Sequence, residues 1–384
     1  MLRLAELITA MDEWFDPRWA EPWDAVGLVC GDPDEPVERV LLAVDAVPAT
    51  IAEAVGIGAQ LLVTHHPLLL TAVHGVPADD PKGALVHRMV RAGVAHFVAH
   101  TNADVARPGV SDALAQRLGL REVRPLEPLH EALDKLVVFV PHDAAESLVD
   151  ALGAAGAGRI GGYERCAWTT EGTGTFRPLD GADPAIGEIG AIERVPETRV
   201  EMVVPARARG AVLAALRTAH PYEEPAFDLL AMVPMPGSRG TGRIGELPMP
   251  ATLETFVARA AAALPATTWG LRAAGDPELP VRTVAVCGGS GGSLAEHARR
   301  AGVDAYLTAD LKHHPVVEAV TERGGTGMAL VDAAHWATEA PWLDAVATAL
   351  DDRFGTTVET LVSRHVTDPW TLHAPSPESS QTTT

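Results

Sequence analysis

The chain has 384 residues, 47% of them hydrophobic, and a formal charge of −21. That is apolar content for more than one core, and with no basic stripe it argues against a nucleic-acid partner. No apolar run is long enough for a membrane span, and Met1-Leu2-Arg3-Leu4-Ala5-Glu6 lacks a basic segment leading into an apolar one, so the expectation is an unexported, cytoplasmic protein.

Arg39 to Asp45 reads as a buried strand, Pro48 to Gly56 as a helix and Ala59 to Thr64 as a second strand. A helix from Ala84 to Ala92 leads to a strand from Ala95 to His100. Strands alternating with helices imply a parallel or mixed α/β sheet. In such sheets ligands gather just beyond the strand ends, where His65-His66 and His100 stand. Further along, Lys135 to Pro141 reads as a strand, followed by a helix to about Ala155 and a hairpin from Tyr163 to Thr170 and Gly172 to Pro178. Arg199 to Pro205 then precedes a helix to about Thr218 and a strand from Ala226 to Met232. This β-α-β-β-α-β order is a ferredoxin-like α+β module.

The α/β grammar then returns. Val281 to Cys287 is a strand, Gly288 to Ser293 a glycine-rich turn and Leu294 to Ala301 a helix. A strand from Ala305 to Thr308, a helix from Pro315 to Arg323 and a strand from Gly327 to Val331 precede a last helix starting near His335. The expected domains are therefore an α/β domain in two parts, 1–133 and 233–373, interrupted by the insertion 134–232. The tail 374–384 has no apolar periodicity and is expected to be disordered. Cys30, Cys166 and Cys287 are too sparse and scattered for a disulfide framework.

His335 and Glu339 are four residues apart, which puts both on one face of a helix. With His65, His66 and Asp104 they offer three imidazoles and two carboxylates, more than one catalytic zinc with an open position takes. Each group has a plain reading alone. The adjacent histidines are incidental, Asn102 and Asp104 are turn formers, and His335 with Glu339 is a surface pair. Together, each just past a strand, they point to two divalent ions: zinc, with iron(II), manganese or cobalt also suited to this donor set. Glu339 has two oxygens with which to bridge them, and such ions lower the pKa of water toward neutrality, which is hydrolase chemistry. The Gly288 to Ser293 turn is either a phosphate cradle or a tight turn. His313 and His314 either support the site, as second shell or proton donor, or merely start a helix.

Six ordered motifs carry a resemblance. Trp23-Asp24-Ala25-Val26-Gly27-Leu28, Thr64-His65-His66-Pro67-Leu68, His100-Thr101-Asn102-Ala103-Asp104, Gly242-Arg243-Ile244-Gly245-Glu246-Leu247, Leu307 to His314 and Asp332 to Glu339 resemble the motifs of the NIF3 family, also named GTP cyclohydrolase 1 type 2. The resemblance implies a NIF3-like α/β domain with a ferredoxin-like (PII/CutA-like) insertion and a dinuclear metal site of His65, His66, Asp104, His335 and Glu339. It further implies a toroidal homohexamer acting on a small, nucleotide-like substrate. Its implied reaction opens the guanine imidazole ring of GTP to give formate and dihydroneopterin triphosphate, with Glu339 and His314 in catalytic roles. Other readings are a dimetal hydrolase of phosphoesters and a non-catalytic, regulatory metal-binding hexamer. Ala25, Ala309, Ala334 and His313 depart from the family's pattern, and none of the five ligands is lost.

Overall fold

The computed structural model describes residues 2–321 and 327–374. The expected tail beyond Ala374 and the end of the helix expected to reach Arg323 lie outside the described residues. By its internal contacts the chain forms two compact units, one of Met1–Leu129 with Ser238–Thr384 and the other of His130–Gly237.

The first unit holds two mixed sheets. In one the strand order is Glu359–Val362, Arg39–Ala43, Leu61–Thr64, Ala95–Val98 and Gly27–Cys30; all pairs are parallel except the last. Every residue of Leu61–Thr64 and Ala95–Val98 is buried, as expected of parallel strands covered on both faces. Alternation decides which face each side chain serves. Leu41 and Leu62 pack with Ile51, Val86 and Met89 of the helices Pro48–Gly56 and Pro81–Arg91. Leu42, Val63 and Phe97 pack oppositely with Leu7 and Met11 of Leu4–Trp14 and with Trp342 and Val346 of Pro341–Phe354. The helix expected from Ala84 begins at Pro81, because the Asp80 carboxylate caps the N–H groups of Lys82 and Gly83.

The other sheet runs Leu271–Ala274, Ala329–Ala333, Ala305–Ala309, Pro280–Val286, Met235–Thr252 and Arg121–Glu131. Its three central strands are parallel. One face packs Val284, Leu307 and Val331 on Leu253 and Phe256 of the helix Leu253–Ala263. The other packs Ala285, Tyr306 and Leu330 on Leu294 and Ala298. Arg243, fully buried, knits this unit together. Its guanidinium donates to both Asp112 oxygens and to the carbonyls of Ala106, Gly240 and Gly242.

In the second unit the antiparallel sheet has the order Phe227–Ala231, Leu133–Pro141, Glu193–Pro205, Ala167–Phe176. The helices Ala145–Ala154 and Arg209–Ala219 cover one face through Leu148, Leu152, Val212 and Leu216. Numbered within the unit this is strand order 4-1-3-2, the ferredoxin-like topology. The hairpin expected over 163–178 is instead one strand, Ala167–Phe176, paired with a strand that starts at Glu193. The turn expected near Glu171 does not form: Glu171 and Gly172 lie within the strand, opposite Thr198 and Glu197. A Cβ on Gly174 would meet the Glu197 carboxylate at 2.0 Å, so that glycine serves close approach.

Candidate metal centre

Six polar side chains converge where the C-terminal ends of strands from both sheets of the first unit meet. His65 and His66 follow Leu61–Thr64, and His100 follows Ala95–Val98. Asp104 lies on the short helix Thr101–Val105. His335 and Glu339 are the first and last residues of the helix His335–Glu339, two residues past the strand Ala329–Ala333. Thr64 Oγ1 donates to the His66 carbonyl at 2.8 Å, fixing the bend at which the two histidines leave the strand.

Each imidazole is held by Nδ1. His65 donates to the Ala99 carbonyl at 2.9 Å, His66 to Asp45 at 2.7 Å, His100 to Asp24 at 2.8 Å and His335 to Asp310 at 2.6 Å. Those acceptors hold Nδ1–H, so that Nε2 is the nitrogen each ring turns into the cluster. Asp310 sits at φ 56, a left-handed conformation that aspartate adopts more readily than most residues. Around Glu339, Oε1 lies 2.9 Å from His335 Nε2 and 3.5 Å from His65 Nε2, while Oε2 lies 3.1 Å from His66 Nε2.

The donor atoms of His65, His66 and His100 lie within 4.8 Å of one another, and so do those of His66, His335 and Glu339. Two triads thus share His66. Asp104 stands at the edge of the first, its Oδ1 3.9 Å from His65 Nε2. Among the described residues, His65 Nε2, Glu339 Oε2 and Asp104 Oδ1 are buried without a hydrogen-bond partner. Such orphans cost stability unless something else satisfies them, and a divalent cation fits imidazole and carboxylate donors of this kind.

Electrostatics agree. Burial by itself opposes charge on His66 and His335, but the Glu339 carboxylate outweighs it and holds them up to about 11 and about 9. His65 is likewise raised, its burial outweighed by Glu339 and Asp104. For Glu339 burial favours the neutral acid, yet the surrounding imidazoles keep it ionised well below the usual range. A divalent ion bound here would meet an ionised carboxylate and would take the place of protons on the imidazoles.

The glycine turn after the strand Pro280–Val286 packs directly on this cluster. Gly289 has φ +64, and a Cβ on it would meet Glu339 Oε1 at 2.4 Å and His335 Nε2 at 3.0 Å. The N–H groups of Gly288, Gly289 and Gly291 donate to Ser111, Thr338 and Thr308. Their engagement within the fold favours the tight-turn reading over a phosphate cradle.

All five expected ligand residues come together, and His100, which lay at a predicted strand end but outside the five, joins them. His314 does not. It is exposed near the start of the helix His313–Thr321, its ring 5.2 Å from that of His313, and no hydrogen bond or ion pair ties it to the cluster among the described residues. The sequence reading passed over Asp24, Asp45 and Asp310. The available signal was an aspartate directly after an apolar run, in Val44-Asp45 and Ala309-Asp310, or inside the Trp23 motif.

The first unit is thus an α/β fold carrying candidate histidine and glutamate groups for metal, interrupted in sequence by a ferredoxin-like unit. The family model of Duf34/NIF3 (NGG1p interacting factor 3) matches residues 2–369, and the chain belongs to that family. It is 54% identical over 374 residues to the GTP cyclohydrolase 1 type 2 homolog of Mycobacterium leprae, covering 97% of this chain and 96% of that protein. With the protein of the same name from Bacillus subtilis it shares 38% identity over 372 residues, 95% and 97% of the two chains. The crystal structure of a Bacillus cereus protein related to NIF3 superposes with a TM-score of 0.80 at 34% identity, over 97% of this chain and 99% of that one.

Proposed function

We propose that this chain is a dinuclear divalent-metal protein that works as a hydrolase of the GTP cyclohydrolase 1 type 2 kind, opening the guanine imidazole ring of GTP to formate and dihydroneopterin triphosphate. The observation that carries the metal reading is the pair of donor triads sharing His66, with every imidazole turned by an Nδ1 partner to present Nε2. His65, His66, Asp104, His335 and Glu339 would hold the ions, with His100 at the first triad. The curated relatives' names support the substrate.

Bound divalent ions, zinc foremost, would supply Lewis acidity and acidify a bound water. The chain's own residues do the rest. Asp45, Asp24, Asp310 and the Ala99 carbonyl orient the imidazoles, and Glu339 stays ionised between them. His314 keeps the role of proton donor in this reading, supported by its motif. The reading also takes the segment 134–232 as the inserted domain, supported by the compact unit His130–Gly237. It includes a cytoplasmic homohexamer, supported by the family resemblance.

The test is direct. Gently purified protein, analysed for metals, should contain two per chain and release formate from GTP. Glu339→Ala should lose both metal and formate release. Formate release undiminished in that variant would remove the activity from this centre, and turnover of phosphoesters without formate would replace the substrate.

A further inference from the structure

The ferredoxin-like unit contains a cavity of about 630 Å³, within the range of small-molecule sites, on the sheet face away from its helices. Three aromatic rings, Phe139, Phe176 and Tyr222, contribute to its walls. Glu197 and Arg199 line it from one strand, two residues apart and so on the same face, about 7 Å between their Cα atoms.

The wall is built rather than incidental. His220, buried, joins the Phe139 carbonyl through Nε2 at 2.9 Å and accepts the Tyr222 N–H on Nδ1 at 3.0 Å. That places the Tyr222 ring 5.6 Å from Phe176 and lets its hydroxyl donate to Glu197 Oε1 at 3.0 Å. Opposite, the bare backbone of Gly174 leaves the space in which the Glu197 carboxylate lies. The loop beyond Phe176 is tied down where the Asp183 N–H donates to Glu223 Oε2 at 2.9 Å. Arg199 has one guanidinium nitrogen on Glu201 at 2.9 Å, which steadies the side chain; a guanidinium has five N–H donors, and among the described residues this is the ion pair it makes.

A carboxylate and a guanidinium side by side, with aromatic surface around them, match a small zwitterion carrying an apolar body. From this geometry we propose that the second unit binds a free α-amino acid with an aromatic or large apolar side chain. Its ammonium sits on Glu197, its carboxylate on Arg199 and its side chain among Phe139, Phe176 and Tyr222. This site is separate from the metal centre, and neither reading depends on the other.

The probe is L-phenylalanine, titrated calorimetrically into the full-length protein beside phenethylamine and 3-phenylpropanoate, each of which lacks one of its two charges. Phenylalanine should bind with one site per chain, and both analogues at least tenfold more weakly. Glu197→Gln keeps an acceptor for Tyr222 and removes the charge; it and Arg199→Gln should each weaken phenylalanine at least tenfold. No binding of phenylalanine at millimolar concentration, or an analogue binding as tightly as phenylalanine, would overturn the proposal. Unchanged affinity in both variants would overturn it too. The analogue comparison stands on the unaltered protein should a variant fail to fold.

Discussion

Arg243 spends its donors on five acceptors while fully buried. Removing one partner of such a pair leaves an uncompensated buried charge, which costs about 3–5 kcal/mol. Arg243→Met should therefore lower the unfolding free energy by about that amount through stranded Asp112, measured by denaturant titration. A loss below about 1 kcal/mol would mean that Asp112 finds other partners. His96 gives the chain an acid-sensitive step. Thr64 spends its one proton on the His66 carbonyl, so His96 donates to Thr64 from Nε2 at 2.8 Å and its Nδ1 is left bare in the core. Burial pushes its pKa from 6.5 down to about 4. Above pH 6.5 both folded and unfolded states are neutral there and the stability is whole; as pH falls toward 4 only the unfolded state takes the proton. The loss over that window is on the order of 3 kcal/mol. His96→Gln should flatten the stability profile between those pH values, and an unchanged slope would exclude His96 as its source.

Among the elements, the strand ends do the positioning, and there a glycine matters as much as a ligand. Gly289→Ala puts a Cβ against Glu339 and His335 at a left-handed position, at about 1–2 kcal/mol of backbone strain. We expect a folded variant with reduced metal content by elemental analysis; full occupancy would show that the turn yields. In the first unit the strands Arg39–Ala43, Leu61–Thr64, Ala95–Val98, Pro280–Val286, Ala305–Ala309 and Ala329–Ala333 were legible because their apolar runs are continuous, whereas Gly27–Cys30, Arg121–Glu131, Met235–Thr252, Leu271–Ala274 and Glu359–Val362, shorter or broken by glycine, proline or charge, were not. The five candidate ligand residues were legible because their motifs, His65-His66, His100 to Asp104 and His335 to Glu339, each begin just past such a continuous run. What escaped was what depends on a partner far away in sequence. His100 counts through its neighbours His65 and His66, and Asp45 and Asp310 through the rings they turn. The break expected between Thr170 and Gly172 vanishes once Glu193–Pro205 pairs along the whole of Ala167–Phe176.

At the scale of the molecule, each unit has its own apolar core. Leu136, Val138, Val200 and Met202 belong to the second alone, while the first keeps separate clusters around Phe97, Leu307 and Tyr306. All six residues of the candidate centre lie in the first unit. Replacing His130–Gly237 by a short flexible linker should then leave a folded protein with unchanged metal stoichiometry, read by circular dichroism and elemental analysis. A folded deletion variant without metal would mean that the second unit holds the centre in shape.

The two triads differ in when the chain makes them. His65, His66 and His100 emerge early in synthesis, whereas His335 and Glu339 follow more than two hundred residues later. A ribosome adding about 5–20 residues per second separates them by tens of seconds at the slower rate. Under the dinuclear reading, an ion reaching the growing chain would meet three imidazoles before Glu339 has been made. The donors of the second triad come together only once the last helices have docked, so that triad is assembled last.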